Sequence, residues 1–216
     1  MISNIPISMA LMAYAQGYFP MAESIDEPHC VWVRPKKRGM IPLDQFHIQT
    51  KLAQKFRNMQ GQLFYDRDFK QVLKHCQTIR KDKTDTWIND EIVDLYLELH
   101  EEGHAHSIEY WEDDQLLGGL YGLHIGGIFF GESMFSRATN ASKFCLIQLV
   151  ATLIQNKFKI LDAQFINTHL TQFGAIEIDQ VDFEPILEEA IKLDCAFIGL
   201  PNAPMNALNI IEKYKT

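Results

Sequence analysis

The sequence predicts an α+β fold built around a mixed, mainly antiparallel sheet. Its 216 residues are 47% hydrophobic and 22% charged, the balance of a soluble globular protein with a sizeable core. Helical periodicity alternates with short β-type runs, and three such runs follow one another between residues 105 and 135. Helices packed on consecutive hairpins are typical of the α+β class.

The first part of the chain, residues 1–61, is predicted to form a small N-terminal lobe. A helix over about 7–16 is ended by Gly17, with Pro20 just beyond it. Short extended segments are expected near Val31 and Met40, followed by a helix over about 47–59. The Gln-Gly-Gln stretch after this helix marks the boundary of the lobe.

Residues 62–216 are predicted to form the main domain. It begins with a strand at 63–65 and helices over about 68–79 and 90–102, and Gly103 ends the second helix. The meander over 105–135 turns at Asp113-Asp114 and at Gly126-Gly127. The remaining predicted elements are a helix over 140–156, a strand over 160–165, a short helix near Thr168 and a last helix over 184–193.

The charge is acidic overall, with a formal net charge of −8, but it is unevenly spread. Residues 34–57 hold seven Lys and Arg residues against the single acid Asp44, whereas residues 82–114 are rich in Asp and Glu. The net charge argues against a protein that coats nucleic acid with its whole surface. It leaves room for a local phosphate-binding patch in the first lobe, predicted to include Arg34, Lys36, Lys37, Arg38, Lys51 and Lys55.

A cytoplasmic location is expected. The N-terminus lacks the basic segment of a signal peptide, and the four cysteines have no C-x-x-C spacing that would indicate a zinc site. The most apolar helix, at 140–157, is interrupted by Lys143, Gln148 and Gln155, so no membrane span is predicted. No metal, disulfide framework or membrane contact is expected.

Asp162 and Gln164 are the first candidates for chemistry. Alternation on a strand places both side chains on one face, as neighbours. A carboxylate can hold a proton and an amide can donate and accept hydrogen bonds, which suits attack of an amine on a carbonyl. The alternative is an edge strand whose polar face lies in water. The same alternation predicts that Glu132 and Met134 share a side.

Other reactive residues are weaker candidates. His104 and His106 share a strand face but lack a third ligand at a recognisable spacing. Ser133 does not lie in a G-x-S-x-G elbow, and Cys145 lies in an apolar helix as a small core residue. The order of elements is similar to that of GNAT-type acyltransferases. Residues 137–142 do not spell the R/Q-x-x-G-x-G/A loop with which those enzymes bind coenzyme A, so coenzyme A is disfavoured as a donor.

A collinear series of segments over roughly residues 10–183 carries a family resemblance. The segments are Ala-Tyr-Ala-Gln-Gly-Tyr-Phe-Pro at 13–20, Thr-Trp-Ile at 86–88, Leu-His-Glu-Glu-Gly-His-Ala-His-Ser-Ile-Glu at 99–109, Gly-Gly-Leu-Tyr-Gly at 118–122, Gly-Glu-Ser-Met-Phe-Ser-Arg at 131–137, Asn-Ala-Ser-Lys at 140–143, Asp-Ala-Gln at 162–164 and Leu-Thr-Gln-Phe-Gly-Ala at 170–175. Together they closely resemble the leucyl/phenylalanyl-tRNA–protein transferases.

The resemblance implies a bacterial cytoplasmic enzyme with a small N-terminal domain and a GNAT-like C-terminal domain. Such an enzyme moves Leu or Phe, and less well Met, from Leu-tRNA or Phe-tRNA to proteins that begin with Arg or Lys. The tagged proteins enter the N-degron degradation pathway. Because the donor is an activated ester, no metal or nucleotide cofactor is expected. The protein is also expected to be a monomer.

The resemblance also implies site residues. Asp162 and Gln164 would be the catalytic pair. The aminoacyl pocket would consist of Leu120, Glu132, Met134, Leu149, Leu153 and Leu161. The terminal adenosine would lie against Trp87, with Tyr14, Met21, Tyr96 and Asn167 nearby. Met21 stands where the family commonly has Trp, and the N-terminus is short. A thioether can still pack on a base, so one stacking contribution of about 1 to 3 kcal/mol is expected to be reduced or replaced.

Two other function classes stay open at this stage. One is an acyl-CoA-dependent N-acyltransferase on the same scaffold, which the missing coenzyme A loop disfavours. The other is a non-catalytic module that binds aminoacyl-tRNA or N-degrons, which the intact Asp162 and Gln164 pair disfavours.

Overall fold

The computed structural model describes residues 4–78 and 86–215. The elements of this part of the chain are α1 (Ile7–Ala15), β1 (Phe19–Met21), β2 (Val31–Val33), β3 (Lys37–Pro42), a 3-10 turn (Leu43–Gln45), α2 (Thr50–Arg57), β4 (Gln62–Tyr65), α3 (Phe69–Gln77), α4 (Asp90–Glu101), β5 (Ala105–Glu112), β6 (Gln115–Ile125), β7 (Ile128–Ser136), α5 (Ala141–Gln155), β8 (Ile160–Gln164), α6 (Thr168–Thr171), β9 (Ile176–Asp179), α7 (Gln180–Ala190) and α8 (Pro204–Tyr214).

A large mixed sheet organises the fold. Its strand order, within the described residues, is β4-β5-β6-β7-β8-β3-β9. Neighbouring strands run antiparallel except β7 and β8, which are parallel and are joined by the long helix α5. A parallel pair needs such a crossover, whereas the antiparallel pairs of β5, β6 and β7 need only tight turns. The predicted α+β class with a mainly antiparallel sheet is confirmed.

Strand β3 joins the first part of the chain to this sheet. β1 and β2 pair with each other, but β3 lies between β8 and β9, with Met40 opposite Asp162 and Arg38 opposite Ile178. Phe46 and Phe56, which follow β3, are buried in the same core cluster as α5. Residues 37–57 therefore contribute to the large sheet and its core. The division of the chain at residue 61 stays a prediction, and this strand pairing limits how separate the first lobe can be.

Caps and turns close to them in sequence begin or end several of the predicted elements. The Asn89 side chain accepts a hydrogen bond from the Ile92 amide at 2.9 Å and so begins α4, and Gly103, with a φ of 78°, ends it. Asp113 and Asp114 have positive φ values of 46° and 59°, as a two-residue hairpin turn requires. These parts of the predicted order of elements are confirmed.

The C-terminal third differs from the prediction. β9 and α8 are additional elements, and α7 begins at Gln180, earlier than the predicted start at 184. Pro185 lies inside α7, although a proline is more typical of the first turn of a helix. Pro204 begins α8 at a first-turn position, which is the usual start signal.

Two core clusters cover the two faces of the sheet. One includes residues of α1, α3, α4 and α7, such as Tyr14, Val72 and Phe183. The other includes residues of α2, α5 and α8, and Cys145 is fully buried there, as predicted. Among the described helices, none has both the length and the apolar character that crossing a lipid bilayer requires.

Candidate active site

A cavity of about 1090 Å³ opens where β7 and β8 separate. The two strands pair only as far as Phe130 and Asp162, after which β7 continues and β8 ends in a turn. The floor of the cavity is apolar. It is formed by Ile41, Leu120, Met134, Leu146, Leu149 and Leu161. Leu120 and Met134 are cross-strand partners, and so are Ile41 and Leu161, so the sheet itself fixes the shape of this floor.

The cavity contains most of the predicted aminoacyl pocket. Leu120, Glu132, Met134, Leu149 and Leu161 all line it. Leu153 does not. It lies one helical turn beyond Leu149 and is fully buried in the core, so its assignment to the pocket is corrected.

Two lining residues of the floor, Ile41 and Leu146, were missed from the sequence. Leu146 precedes Leu149 by three positions on α5, so the helical period could have indicated it. Ile41 comes from β3, whose pairing with β8 has no local sequence signal.

Glu132 occupies a β-bulge in β7. Tyr121 and Gly122 of β6 pair with Ser133 and Gly131, which leaves Glu132 as the extra residue. A bulge changes the direction of a side chain and is common near active sites. The regular alternation predicted for β7 is therefore interrupted at Glu132, because the register shifts between Gly131 and Ser133. The side chains of Glu132 and Met134 still reach the same cavity.

Three polar side chains surround the Glu132 carboxyl group. The Tyr14 hydroxyl donates a hydrogen bond to Glu132 Oε1 at 2.9 Å, and Gln164 Nε2 donates to the same oxygen at 3.2 Å. Tyr14 and Tyr96 also share a hydrogen bond through their hydroxyl groups. Because the Tyr14 proton is directed at Glu132, Tyr96 is the donor of this bond.

Burial raises the pKa of Glu132 to about 8. The hydroxyl groups of Tyr14 and Tyr96 lower this pKa, but by less than burial raises it. Burial also raises the pKa of both tyrosines well above the usual value, so both remain neutral donors. A carboxyl group with a pKa near neutrality can both take up and release a proton, which is what general acid–base catalysis requires.

Asp162 and Gln164 are brought together as predicted, but inside the sheet. β8 lies between β7 and β3, so the alternative of an edge strand with its polar face in water is wrong. Asp162 Oδ1 accepts a hydrogen bond from the Gln164 backbone amide at 3.0 Å, and Gln164 has a left-handed φ of 52° that ends the strand. The side chain of Asp162 is fully buried. Asp162 and Glu132 both line the cavity, whereas Gln164 does not. The catalytic role of the predicted pair stays a prediction.

Arg38 binds Asp162 and does not face solvent. Arg38 Nε donates to Asp162 Oδ1 at 2.8 Å, a terminal guanidinium nitrogen donates to Oδ2, and the other donates to the Gly17 carbonyl at 2.7 Å. The side chain of Arg38 is fully buried. The prediction that Arg38 contacts tRNA phosphate is therefore wrong. The prediction treated Lys36, Lys37 and Arg38 alike because they are adjacent, whereas strand β3 directs the Arg38 side chain into the core.

The other predicted phosphate contacts lie on the surface and outside the cavity wall. Arg34 pairs with Glu184 at 2.6 Å and Lys37 with Asp179 at 3.2 Å, so nearby acids offset both charges. Lys36, Lys51 and Lys55 are exposed. The cavity wall itself holds two cations that the sequence analysis did not select, Arg137 and Lys143. Both lie in segments that carry the family resemblance.

Only some of the residues predicted to contact adenosine line the cavity. Trp87 and Asn167 line the cavity. Tyr14 and Tyr96 are fully buried with their hydroxyl groups near Glu132, and neither lines the cavity, which corrects their assignment as adenosine contacts. Met21 is partly buried against the core, and its contact with adenosine stays a prediction.

Phe165 is an aromatic residue at the cavity that the sequence analysis missed. Its side chain is 49% exposed, and it directly follows the Gln164 turn.

His104 and His106 do not form a metal site with other residues. His106 Nδ1 lies 2.8 Å from Asp66 Oδ2, and its ring stacks on Phe197. Within residues 4–78 and 86–215, no group of three or more His, Cys, Asp or Glu side chains is placed to hold a metal ion.

Comparison with known proteins matches this site to one family. The family model for leucyl/phenylalanyl-tRNA protein transferase matches residues 40–188, which include the end of β3, Trp87, Glu132 and the Asp162–Gln164 segment. The chain belongs to this family. It is therefore an enzyme, an aminoacyltransferase that acts between aminoacyl-tRNA and protein.

Curated leucyl/phenylalanyl-tRNA–protein transferases match over most of their length. One from Rhodopseudomonas palustris (strain BisB18) is 47% identical over 92% of this chain and 86% of its own. Another, from strain HaA2, is 44% identical over 97% and 94%. The enzyme of Hyphomonas neptunium is 47% identical over 90% and 75%.

A solved structure, L-PGS from Bacillus licheniformis, aligns with 95% of this chain and 69% of its own. The identity is 12% and the TM-score 0.41, too low to assign a shared fold.

Proposed function

We propose that this transferase moves Leu or Phe, and less well Met, from aminoacyl-tRNA to the N-terminal Arg or Lys of proteins. On this proposal it works in the cytoplasm as a monomer, and its products enter the N-degron pathway. The observation that carries the proposal is the cavity itself, in which an apolar floor lies beside the titratable carboxyl group of Glu132.

The aminoacyl side chain would occupy the apolar floor. Leu, Phe and Met all have an unbranched Cβ, which a narrow apolar pocket admits more easily than the branched Val and Ile. Met134 is a flexible side chain and can adapt to either Leu or Phe. Discrimination by such a pocket is of the order of 1 to 3 kcal/mol per misplaced group.

The 3′ end of the donor tRNA would lie at the mouth of the cavity. Trp87 offers an aromatic face for the terminal adenine and Asn167 a polar contact. Arg137 and Lys143 would bind phosphate there, while Lys36, Lys51 and Lys55 would contact phosphates further from the end. The positive charge of this wall suits a polyanionic donor.

The transfer needs one proton relay. The acceptor amine attacks the ester carbonyl, the new C–N bond forms, and the bond from that carbonyl to the ribose oxygen breaks. Glu132 would take the proton from the amine and return it to the leaving ribose oxygen. Gln164 would hold Glu132 in place, and Asp162 would hold the turn that carries Gln164.

We also propose that the main domain is GNAT-like. The support is an antiparallel meander, β5 to β7, followed by a helix and a strand parallel to β7 that separates from it at the site. Residues 137–142 lack the coenzyme A loop of that class, so the domain would use tRNA in place of coenzyme A.

A transfer assay with matched donors and acceptors tests this function. Leu-tRNA labelled on leucine is incubated with peptides that begin with Arg or Lys and with the Nα-acetylated Arg peptide. Labelled Phe-tRNA, labelled Val-tRNA and labelled acetyl-CoA replace the donor in parallel reactions. The proposal expects label on the Arg and Lys peptides from Leu-tRNA and Phe-tRNA, and none from Val-tRNA or acetyl-CoA. Transfer from acetyl-CoA, or tRNA binding without any transfer, would overturn it.

A further inference from the structure

Arg38 is a buried junction between three segments of the chain. Its guanidinium group binds both carboxylate oxygens of Asp162 on β8 and the carbonyl of Gly17, which follows α1. It also lies over the rings of Phe19 and Phe183, 5.1 and 4.9 Å from their centroids. A planar guanidinium suits a bidentate carboxylate and flanking rings together, and a lysine cannot replace these contacts.

The segments that Arg38 holds are the ones that support Glu132. Tyr14 lies in the last turn of α1, and the Gly17 amide donates to the Tyr14 carbonyl at 2.9 Å. Gln164 is held through its backbone amide by Asp162. Both hydrogen bonds to Glu132 Oε1, from Tyr14 and Gln164, thus come from segments tied to one arginine.

We propose that Arg38 is a positioning residue for the transfer reaction, which fixes the Tyr14 and Gln164 side chains on Glu132 by binding Gly17 and Asp162 together. This inference rests on the proposed use of Glu132 in proton transfer. It assigns the most buried arginine of the predicted basic patch to the chemical step and not to tRNA binding.

A purely structural role makes a different prediction from a positioning role. The groups that face Glu132 from the packed elements are Tyr14 on α1, Arg38 on β3, Tyr96 on α4, Tyr121 on β6, and Asp162 and Gln164 on β8. Of these, Asp162 raises the pKa of Glu132 and Arg38 lowers it. Removing either partner breaks the same ion pair, but the two changes move the pKa of Glu132 in opposite directions.

The experiment compares Arg38→Gln and Asp162→Asn with the parent enzyme. Steady-state transfer of Leu from saturating Leu-tRNA to an Arg peptide is followed between pH 6 and 9, and melting temperatures are recorded. Arg38→Gln is expected to shift the pH profile to higher pH and Asp162→Asn to lower pH. In both variants kcat should fall about ten- to a hundredfold while tRNA affinity stays unchanged.

Two further variants keep the test decisive. Arg38→Lys retains the charge but loses the bidentate contact, so kcat should fall with little shift of the pH profile. Arg67→Gln removes another arginine, whose partner is Asp114 on the surface, and should behave as the parent does.

The inference is overturned if Arg38→Lys keeps the parent kcat. It is also overturned if the activity of Arg38→Gln and Asp162→Asn falls only in proportion to the folded fraction and both of their pH profiles coincide with that of the parent. If Arg38→Gln and Asp162→Asn do not fold, Arg38→Lys alone decides. An inactive parent would contradict the proposed function, whereas an active parent with unchanged variants would contradict only the role of Arg38.

Discussion

The proton affinity of Glu132 comes from where the bulge places its carboxyl group. Burial raises the pKa to about 8, and the tyrosine donors offset only part of that rise. A carboxyl group in this position can accept the proton of an amine whose own pKa is near 8.

Replacing Glu132 by Gln tests this use of the residue. The amide keeps a hydrogen-bond acceptor for Tyr14 and Gln164 but cannot take up a proton. We expect the single-turnover rate constant to fall roughly 100-fold or more. The acid limb of the pH profile should become less steep, because only the acceptor amine then titrates near pH 8. Single-turnover transfer at several pH values measures both. An unchanged profile would show that Glu132 does not titrate in the reaction.

The same substitution should change how stability depends on pH. The pKa of Glu132 is raised from 4.5 to about 8 in the folded protein, so the folded state binds more protons than the unfolded state between these values. The contribution of this protonated carboxyl to stability is present below pH 4.5 and is lost as the pH rises through about 8. Melting temperatures between pH 5 and 9 should fall less steeply for Glu132→Gln than for the parent. Parallel curves would contradict the raised pKa.

Met134 is the residue most suited to a test of side-chain selection. Shortening it to Ala widens the floor opposite Leu120, which should weaken the use of Leu by the order of 1 to 3 kcal/mol and affect the bulkier Phe less. The ratio of kcat/KM for Phe-tRNA and Leu-tRNA should therefore rise. Leu153→Ala, in the core beyond the cavity, is the control and should lower the melting temperature without changing that ratio. An unchanged ratio in Met134→Ala would remove Met134 from the pocket.

Among the helices, α2 carries the clearest basic surface. Leu52 and Phe56 are buried, while Lys51 and Lys55 are exposed one turn apart. Replacing both by Gln should lower tRNA affinity. It should also reduce the slope of log K against log salt concentration by about one to two, since fewer phosphate contacts form and fewer counterions are released on binding. Lys70→Gln with Lys74→Gln removes the same charges at the same spacing from α3, and this control should bind as the parent does. Equal slopes in both double variants would place tRNA elsewhere.

Sequence reasoning recovered the elements whose causes are local. The end of α4 at Gly103, the turn at Asp113-Asp114 and the pairing of Asp162 with Gln164 all follow from neighbours within a few residues. The role of Arg38 did not, because its partner Asp162 lies 124 residues away and β3 joins β8 across that distance.

The direction of Glu132 could not be predicted from strand periodicity. The bulge in β7 depends on how β6 and β7 register, and that register is set by the packing of the whole sheet.

At the scale of the whole molecule, the site depends on the separation of β7 and β8. The apolar floor belongs to the core under α5, whereas the tyrosines around Glu132 belong to the core on the other face. The cavity thus joins an apolar pocket for a side chain to a polar centre for proton transfer. It lies where the parallel pairing ends, and both requirements of the reaction are met by one opening in the sheet.

The most direct measurement of this account is a crystal structure with a non-hydrolysable amide analogue of phenylalanyl-adenosine. We expect the phenyl ring among Leu120, Met134 and Leu149, the adenine against Trp87, and the amide carbonyl beside Glu132. An analogue bound outside this cavity, or with its side chain away from the apolar floor, would contradict the account.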